Sequence, residues 1–140
     1  MILMILRLSM ICMAMHAFGD VALKALSEEM QKFFDKNVVL GRNGGDEFCI
    51  FLPDCTCADV KEKLEEFTKL KRSFKYEGEE QQFTISVGYA EYPVHADKPS
   101  KLMRCADTAL YEVKLRGKNG CMAYKNGLRM EIRTQLGFAL

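Results

Sequence analysis

Val38-Val39-Leu40-Gly41-Arg42-Asn43-Gly44-Gly45-Asp46-Glu47-Phe48-Cys49-Ile50-Phe51-Leu52 is the stretch from which the rest of the chain can be read. Two apolar runs flank a Gly-Gly-acid-acid centre, the pattern of a β-hairpin with carboxylates at its tip. Glycine lets backbone N–H groups approach a phosphate closely, and neighbouring carboxylates can hold a divalent cation. A metal–nucleotide complex is the ligand such a tip suits.

Outward from the hairpin, strands and helices alternate. Residues 1–6 read as a buried strand. Apolar positions at Val21, Leu23, Leu26, Met30 and Phe33 keep helical spacing from Asp20 to Phe34. Strands are expected at Val38–Leu40 and Glu47–Leu52. Thr56 is a fair N-cap for a helix from Cys57 to about Phe74. Residues 75–82 are polar, with Gly78 as a turn, and Phe83 to Ala90 alternates as a strand. Ser100 is a candidate cap for a helix to about Arg116, stopped by Gly117, and Cys121–Tyr124 reads as a short strand. The expected class is α/β, an α+β sandwich with helices around a central sheet.

Length and composition bound the answer. The 140 residues suffice for one domain. Hydrophobic residues make up 49% and charged residues 28%, as in a soluble globular protein. A net charge of +1 offers no bulk attraction for nucleic acid or a membrane surface. The six cysteines lack C-x-x-C spacing and read as reduced thiols of a cytoplasmic protein. The methionine-rich start is interrupted by Arg7, has no basic leader, and is too short for a membrane span.

Four ordered blocks resemble the GGDEF domain of the diguanylate cyclase family. They are Phe18-Gly19-Asp20, the hairpin from Gly41 to Phe48, the strand Phe83-Thr84-Ile85-Ser86-Val87-Gly88-Tyr89-Ala90, and Ala106-Asp107-Thr108-Ala109-Leu110-Tyr111 followed by Lys114 and Gly117-Lys118-Asn119-Gly120. The resemblance implies a mostly antiparallel sheet flanked by helices, like nucleotide-cyclase and polymerase palms. It implies one domain over residues 1–125, with 126–140 a tail of no assigned role. The implied reaction condenses two GTP into cyclic di-GMP and releases pyrophosphate. Carried over by position, Asp46 holds Mg²⁺ or Mn²⁺, and Glu47 assists the metal or deprotonates the attacking 3′-hydroxyl. Gly44 and Gly45 offer N–H groups to the phosphates, Lys114 and Lys118 pair with the β- and γ-phosphates, and Asp20 accepts from guanine. The implied partner is a second GGDEF domain, because catalysis needs two facing nucleotides; a sensory domain would be a further partner. The blander readings are a solvated turn at Asp46 and Glu47, dipole-favoured cations at Lys114 and Lys118, and a helix-start acid at Asp20. Asp107 can serve a helix contact, Arg42 reads as hairpin support, and His95 as a loop residue.

The start of the chain departs from the family pattern D-x-D-x-F-K-x-x-N-D-x-x-G-H. Residues 1–16 carry no acid, so the metal-holding Asp, the phosphate Lys and the guanine-reading Asn have no counterparts there. The alternative to an active cyclase is therefore a degenerate domain that binds GTP or a protein partner without chemistry. One hypothesis explains the departure. Read one frame over, the Met1/Ile2, Met4/Ile5 and Met10/Ile11 codon junctions each force Asp, Met13/Ala14 forces Gly, and the others permit the family string. A short duplication (ATGC) at Met15 to Ala17 would restore the downstream frame. Codons in the gene incompatible with that string would sink the idea. The family's inhibitory R-x-x-D site falls on Asp35 and Val38, so product inhibition through it is not expected.

Overall fold

β1 (Ile2–Met10) is the central strand of the sheet, antiparallel to β3 (Glu47–Leu52) on one side and β5 (Glu79–Glu91) on the other. The computed structural model describes residues 1–10, 15–34, 38–44, 47–70, 72–117 and 119–126. Within these, β2 (Val39–Gly44), β4 (Arg72–Tyr76) and β6 (Gly120–Ala123) complete a six-stranded sheet of order β2-β3-β1-β5-β4, with β6 beside β5. Only the β5–β6 pair is parallel, because α3 (Pro99–Leu115) crosses over between those strands. The helix-flanked sheet is the layered class expected from the residues, and its mostly antiparallel pairing is what the family resemblance implies.

Period-2 alternation sorts the strand residues onto two faces. Ile2, Met4 and Leu6 join Phe48, Ile50 and Ile85 under α1 (Met15–Phe34) and α2 (Cys57–Lys69). Leu3, Ile5, Cys49 and Ala90 face Leu102, Ala106 and Leu110 of α3. Both faces are covered, so Ile2 to Leu6 form an unbroken apolar run with at most 1% of any residue exposed. Phe33 and Phe34 at the end of α1 meet Phe67 of α2 with ring centroids 5.0 and 5.4 Å apart.

Gly88 sets the approach of α3. A Cβ there would collide with the backbone of Ala106 and Leu110, so the helix axis lies close over β5 only because residue 88 has no side chain. The start of α3 lies by Met1, Leu3, Phe51 and Tyr92, where Pro99 and Leu102 help line an apolar pocket. Its last turn reaches Gly120, whose built Cβ would sit 3.9 Å from Val113. α3 therefore runs from the far end of the sheet toward the Gly44–Glu47 hairpin.

Several boundaries differ from expectation. α2 stops at Lys69, and Leu70 is already extended at φ −63° and ψ 131°. Residues 72–76 form β4, because Glu77 (φ 51°) and Gly78 (φ 81°) turn the chain into a hairpin with β5. Ser73 donates to Glu80 across it at 2.8 Å. α3 begins at Pro99 with Lys98 as N-cap and no side-chain cap, so Ser100 lies inside the helix. β1 continues past Leu6 to Met10, β2 continues through Arg42 to Gly44, and α1 begins five residues before Asp20. Thr56 does cap α2: its hydroxyl accepts from Asp59 N–H (3.2 Å), and Asp59 accepts from Thr56 N–H (2.9 Å). Cys12, the Asp35 position of the inhibitory site and residues 127–140 lie outside the described residues. Cys49, Cys55, Cys57, Cys105 and Cys121 are free thiols. No helix among the described residues is long and apolar enough to cross a membrane.

Candidate nucleotide site at the hairpin end of the sheet

Gly44, the last residue of β2, pairs with Glu47, the first residue of β3. The register then continues across the sheet from Glu47 to Arg7, from Arg7 to Ser86, and from Ser86 to Gly120. Directly paired residues share a face. Cys49 and Ala90 belong to the α3 layer, so Glu47 and Ser86, each an even step away, lie on that face too, and so does the Arg7 position. One row thus links the hairpin to the turn that follows α3. Gly117 (φ 102°) and Asn119 (φ 53°) shape that turn, and the Ser86 hydroxyl, 1% exposed, accepts from Asn119 N–H at 3.2 Å.

α3 lays a stripe along the same face. Met103 lies against Cys49, sulfur to sulfur at 4.0 Å. Asp107, Tyr111 and Lys114 follow at helical spacing, so Lys114 sits about 16 Å beyond Met103 along the axis toward the hairpin end. Burial first, and then the negative charges of Glu47 and Asp107, push the Cys49 thiol above its ordinary range. Those two carboxylates therefore flank Cys49 from β3 and from α3. Glu47 and Lys114 are both partly exposed, and Glu47, Asp107, Tyr111 and Lys114 all engage neighbours.

Of the residues singled out from sequence, Gly44, Glu47 and Lys114 come to one end and one face. Asp20 is the sixth residue of α1 and not its opening acid, so a helix-start role does not apply. α1 packs on the opposite face of the sheet from α3, and the Asp20 side chain is not among those described. Gly45, Asp46 and Lys118 lie outside the described residues. Arg42 pairs with Phe48, whose side chain belongs to the α1/α2 layer, so Arg42 lies on the face away from α3. His95 accepts from Glu91 N–H through Nδ1 at 2.9 Å and meets Tyr124 edge-on, a loop-stabilising role. Ser86, Gly88 and the Arg7 position were not singled out for the site. Strand register brings the Arg7 position and Ser86 to Glu47, and the close approach of α3 gives Gly88 its role; neither follows from spacing along the chain, although Ser86 and Gly88 lie in the strand that resembles the family.

The described residues do not assemble a divalent-cation site. No group of three His, Cys, Asp or Glu converges among them. β1, the strand beside Glu47, contains no carboxylate, and its residue in register with Glu47 is Arg7.

The profile described as "Diguanylate cyclase, GGDEF domain" matches residues 15–120. The match begins where α1 begins and leaves out β1. Diguanylate cyclase A of Treponema denticola is 29% identical over 115 residues, covering 81% of this chain and 31% of the relative. The uncharacterized protein YhcK of Bacillus subtilis is 32% identical over 107 residues, 74% of this chain and 30% of the relative. The chain thus spans about a third of these relatives. Among solved structures, the isolated GGDEF domain of YfiN from Pseudomonas aeruginosa superposes with a TM-score of 0.78 at 22% identity, over 94% of this chain and 82% of that one. The GGEEF domain of a Vibrio cholerae diguanylate cyclase gives 0.72 at 22% identity, over 90% and 85%. These structures speak for the fold, and the profile spans the hairpin, β5 and α3; the chain belongs to the diguanylate cyclase GGDEF-domain family.

Proposed function

We propose that this chain binds GTP at the hairpin end of its sheet as one half-site of a diguanylate cyclase, and that its turnover is weak. The supporting observation is the row Gly44–Glu47–Arg7–Ser86, which shares the α3 face and the hairpin end with Lys114. Gly44 and Gly45 would offer N–H groups to the phosphates, and Lys114 with Lys118 would neutralise their charge. Asp20 would read guanine through its two adjacent donors. Glu47 would take the proton from the attacking 3′-hydroxyl. The family reaction joins two GTP into cyclic di-GMP with loss of pyrophosphate. Each domain holds one nucleotide, so a second copy must face it, and a sensory domain would control that meeting.

The family's chemistry draws on Mg²⁺ or Mn²⁺, which Asp46 and Glu47 would hold. A tip without a carboxylate from β1 holds a cation poorly, which is why slow condensation is expected. A second reading, binding of GTP or of a protein partner without chemistry, is favoured by Arg7 at the register position beside Glu47.

The test is incubation with GTP and Mg²⁺ or Mn²⁺, chromatography for cyclic di-GMP, and a parallel titration with a fluorescent GTP analogue. Binding with slow product formation is the expected outcome. Binding with no product selects the second reading. Absence of both would remove the nucleotide site altogether.

A further inference from the structure

The end of the sheet away from the hairpin carries an apolar pocket of about 280 Å³. Leu3 of β1, Phe51 of β3, and Leu102 and Met103 of α3 line it. An apolar cavity of ~150 Å³ accepts one benzene, so this pocket has room for two medium-sized side chains. Its rim adds apolar surface. Met1 and Tyr92 are 38% and 42% exposed, and Val94, two residues farther on, is 69% exposed. Among the described residues of the lining, Asp97 carries the only charged side chain. Contiguous apolar surface of this kind gains free energy when another apolar segment covers it.

The chain itself leads there. Tyr124 packs on the α3 layer, donates its N–H to the Tyr89 carbonyl at 2.8 Å, and meets the ring of His95 in the loop before α3. Lys125 and Asn126 continue from it on the surface, and residues 127–140 follow. β6 and β1 flank β5, so they lie two strand spacings apart, about 10 Å. A residue spans at most ~3.5 Å, so Gly127 to Glu131 suffice to cross from β6 to the pocket. Beyond them Ile132 and Leu136 stand four apart, continuing a repeat from Leu128 to Leu140 that has the spacing of one helical face. Arg129 and Arg133 lie beside that stripe.

We propose that residues 127–140 fold back across the end of the sheet and seat Ile132 and Leu136 in this pocket, with Arg133 facing Asp97. The occupant matches the pocket in size, in apolar character and in the sign of its charge. The inference gives a place to the segment that the nucleotide reading leaves without one, and it does not depend on that reading.

Hydrogen exchange of the full chain, without nucleotide and followed by peptide mass analysis, tests it. Amides of residues 128–140 should exchange several-fold more slowly than in a synthetic peptide of the same sequence. Ile132→Asp with Leu136→Asp should speed exchange at residues 92–103 several-fold, and Thr134→Asp, off the stripe, should not. Reciprocally, Tyr92→Ala and Asp97→Lys should speed exchange in the tail.

A tail that exchanges as fast as the free peptide in the unaltered chain overturns the inference. So does a protected tail indifferent to Tyr92→Ala and Asp97→Lys, because it would be seated elsewhere. Protection that grows with protein concentration, alongside self-association in sedimentation, would give the pocket to a second copy and overturn the fold-back. The measurement on unaltered protein stands even where a variant fails to fold.

Discussion

Lys114 illustrates how much a single side chain owes to its place. It ends a stripe on α3 that starts at Met103 against Cys49 and passes Asp107 beside the hairpin. Lys114→Ala should therefore weaken binding of a GTP analogue about tenfold, the effect of losing one charge-assisted hydrogen bond, while the thermal midpoint stays nearly unchanged. Equal affinity in the variant would move the phosphates away from α3. Cys57 shows the opposite use of environment. Burial, reinforced by the charge of Glu91, pushes its thiol up to about 11. Thiolate is the reactive form, so iodoacetamide at pH 8 should modify Cys57 far more slowly than a free cysteine, as peptide mass analysis would show. Fast modification would mean that Cys57 is not enclosed.

At the scale of elements, α3 and α2 depend on short-range features of different kinds. Gly88→Ala should destabilise the protein by about 3 kcal/mol or more in urea unfolding, because the new methyl meets the backbone at Ala106 and Leu110, which cannot turn aside like a side chain. A neutral result would require α3 to lift from β5. Thr56→Ala removes half of a capping box and should cost about 1 kcal/mol. Thr56 was legible in the chain as an N-cap because capping needs no distant partner, while the reciprocal bond from Asp59 came with the structure. The end of α2 was not legible. Phe74 continues a plausible helical spacing, and β4 forms because pairing with β5 satisfies more backbone than another turn of helix. The N-terminal strand was underestimated for a related reason. Leu8, Ser9 and Met10 have no strong pattern, yet β5 offers Ile85, Thr84 and Phe83 as ready partners.

For the molecule as a whole, pH dependence follows from acids buried in their neutral form. Cys49, Cys57, Cys121 and Tyr89 all have raised proton affinity, each mainly through burial. The unfolded chain loses these protons at lower pH than the folded chain does. Stability from this source is complete below about pH 8, where the unfolded thiols begin to ionise. It is lost as pH rises toward 11 and beyond. Thermal midpoints measured from pH 8 upward should fall steadily, and Cys57→Ser should flatten the decline. A midpoint constant to pH 11 would contradict enclosure of these groups.

The hairpin, the Thr56 cap, the α3 helix and the family were determined by the residues themselves, since each rests on contacts between near neighbours or on side-chain types at fixed spacing. Tertiary structure decided which residues meet. Only strand pairing sets Arg7 beside Glu47 and Ser86, and only the close seat of α3 on Gly88 carries Lys114 toward the hairpin end. A one-residue slip of β1 would exchange its two faces and take Arg7 out of the row, and the alternation of Ile2, Met4 and Leu6 against Leu3 and Ile5 does not by itself choose between them. That choice belongs to the packed sheet, where both faces must be filled at once.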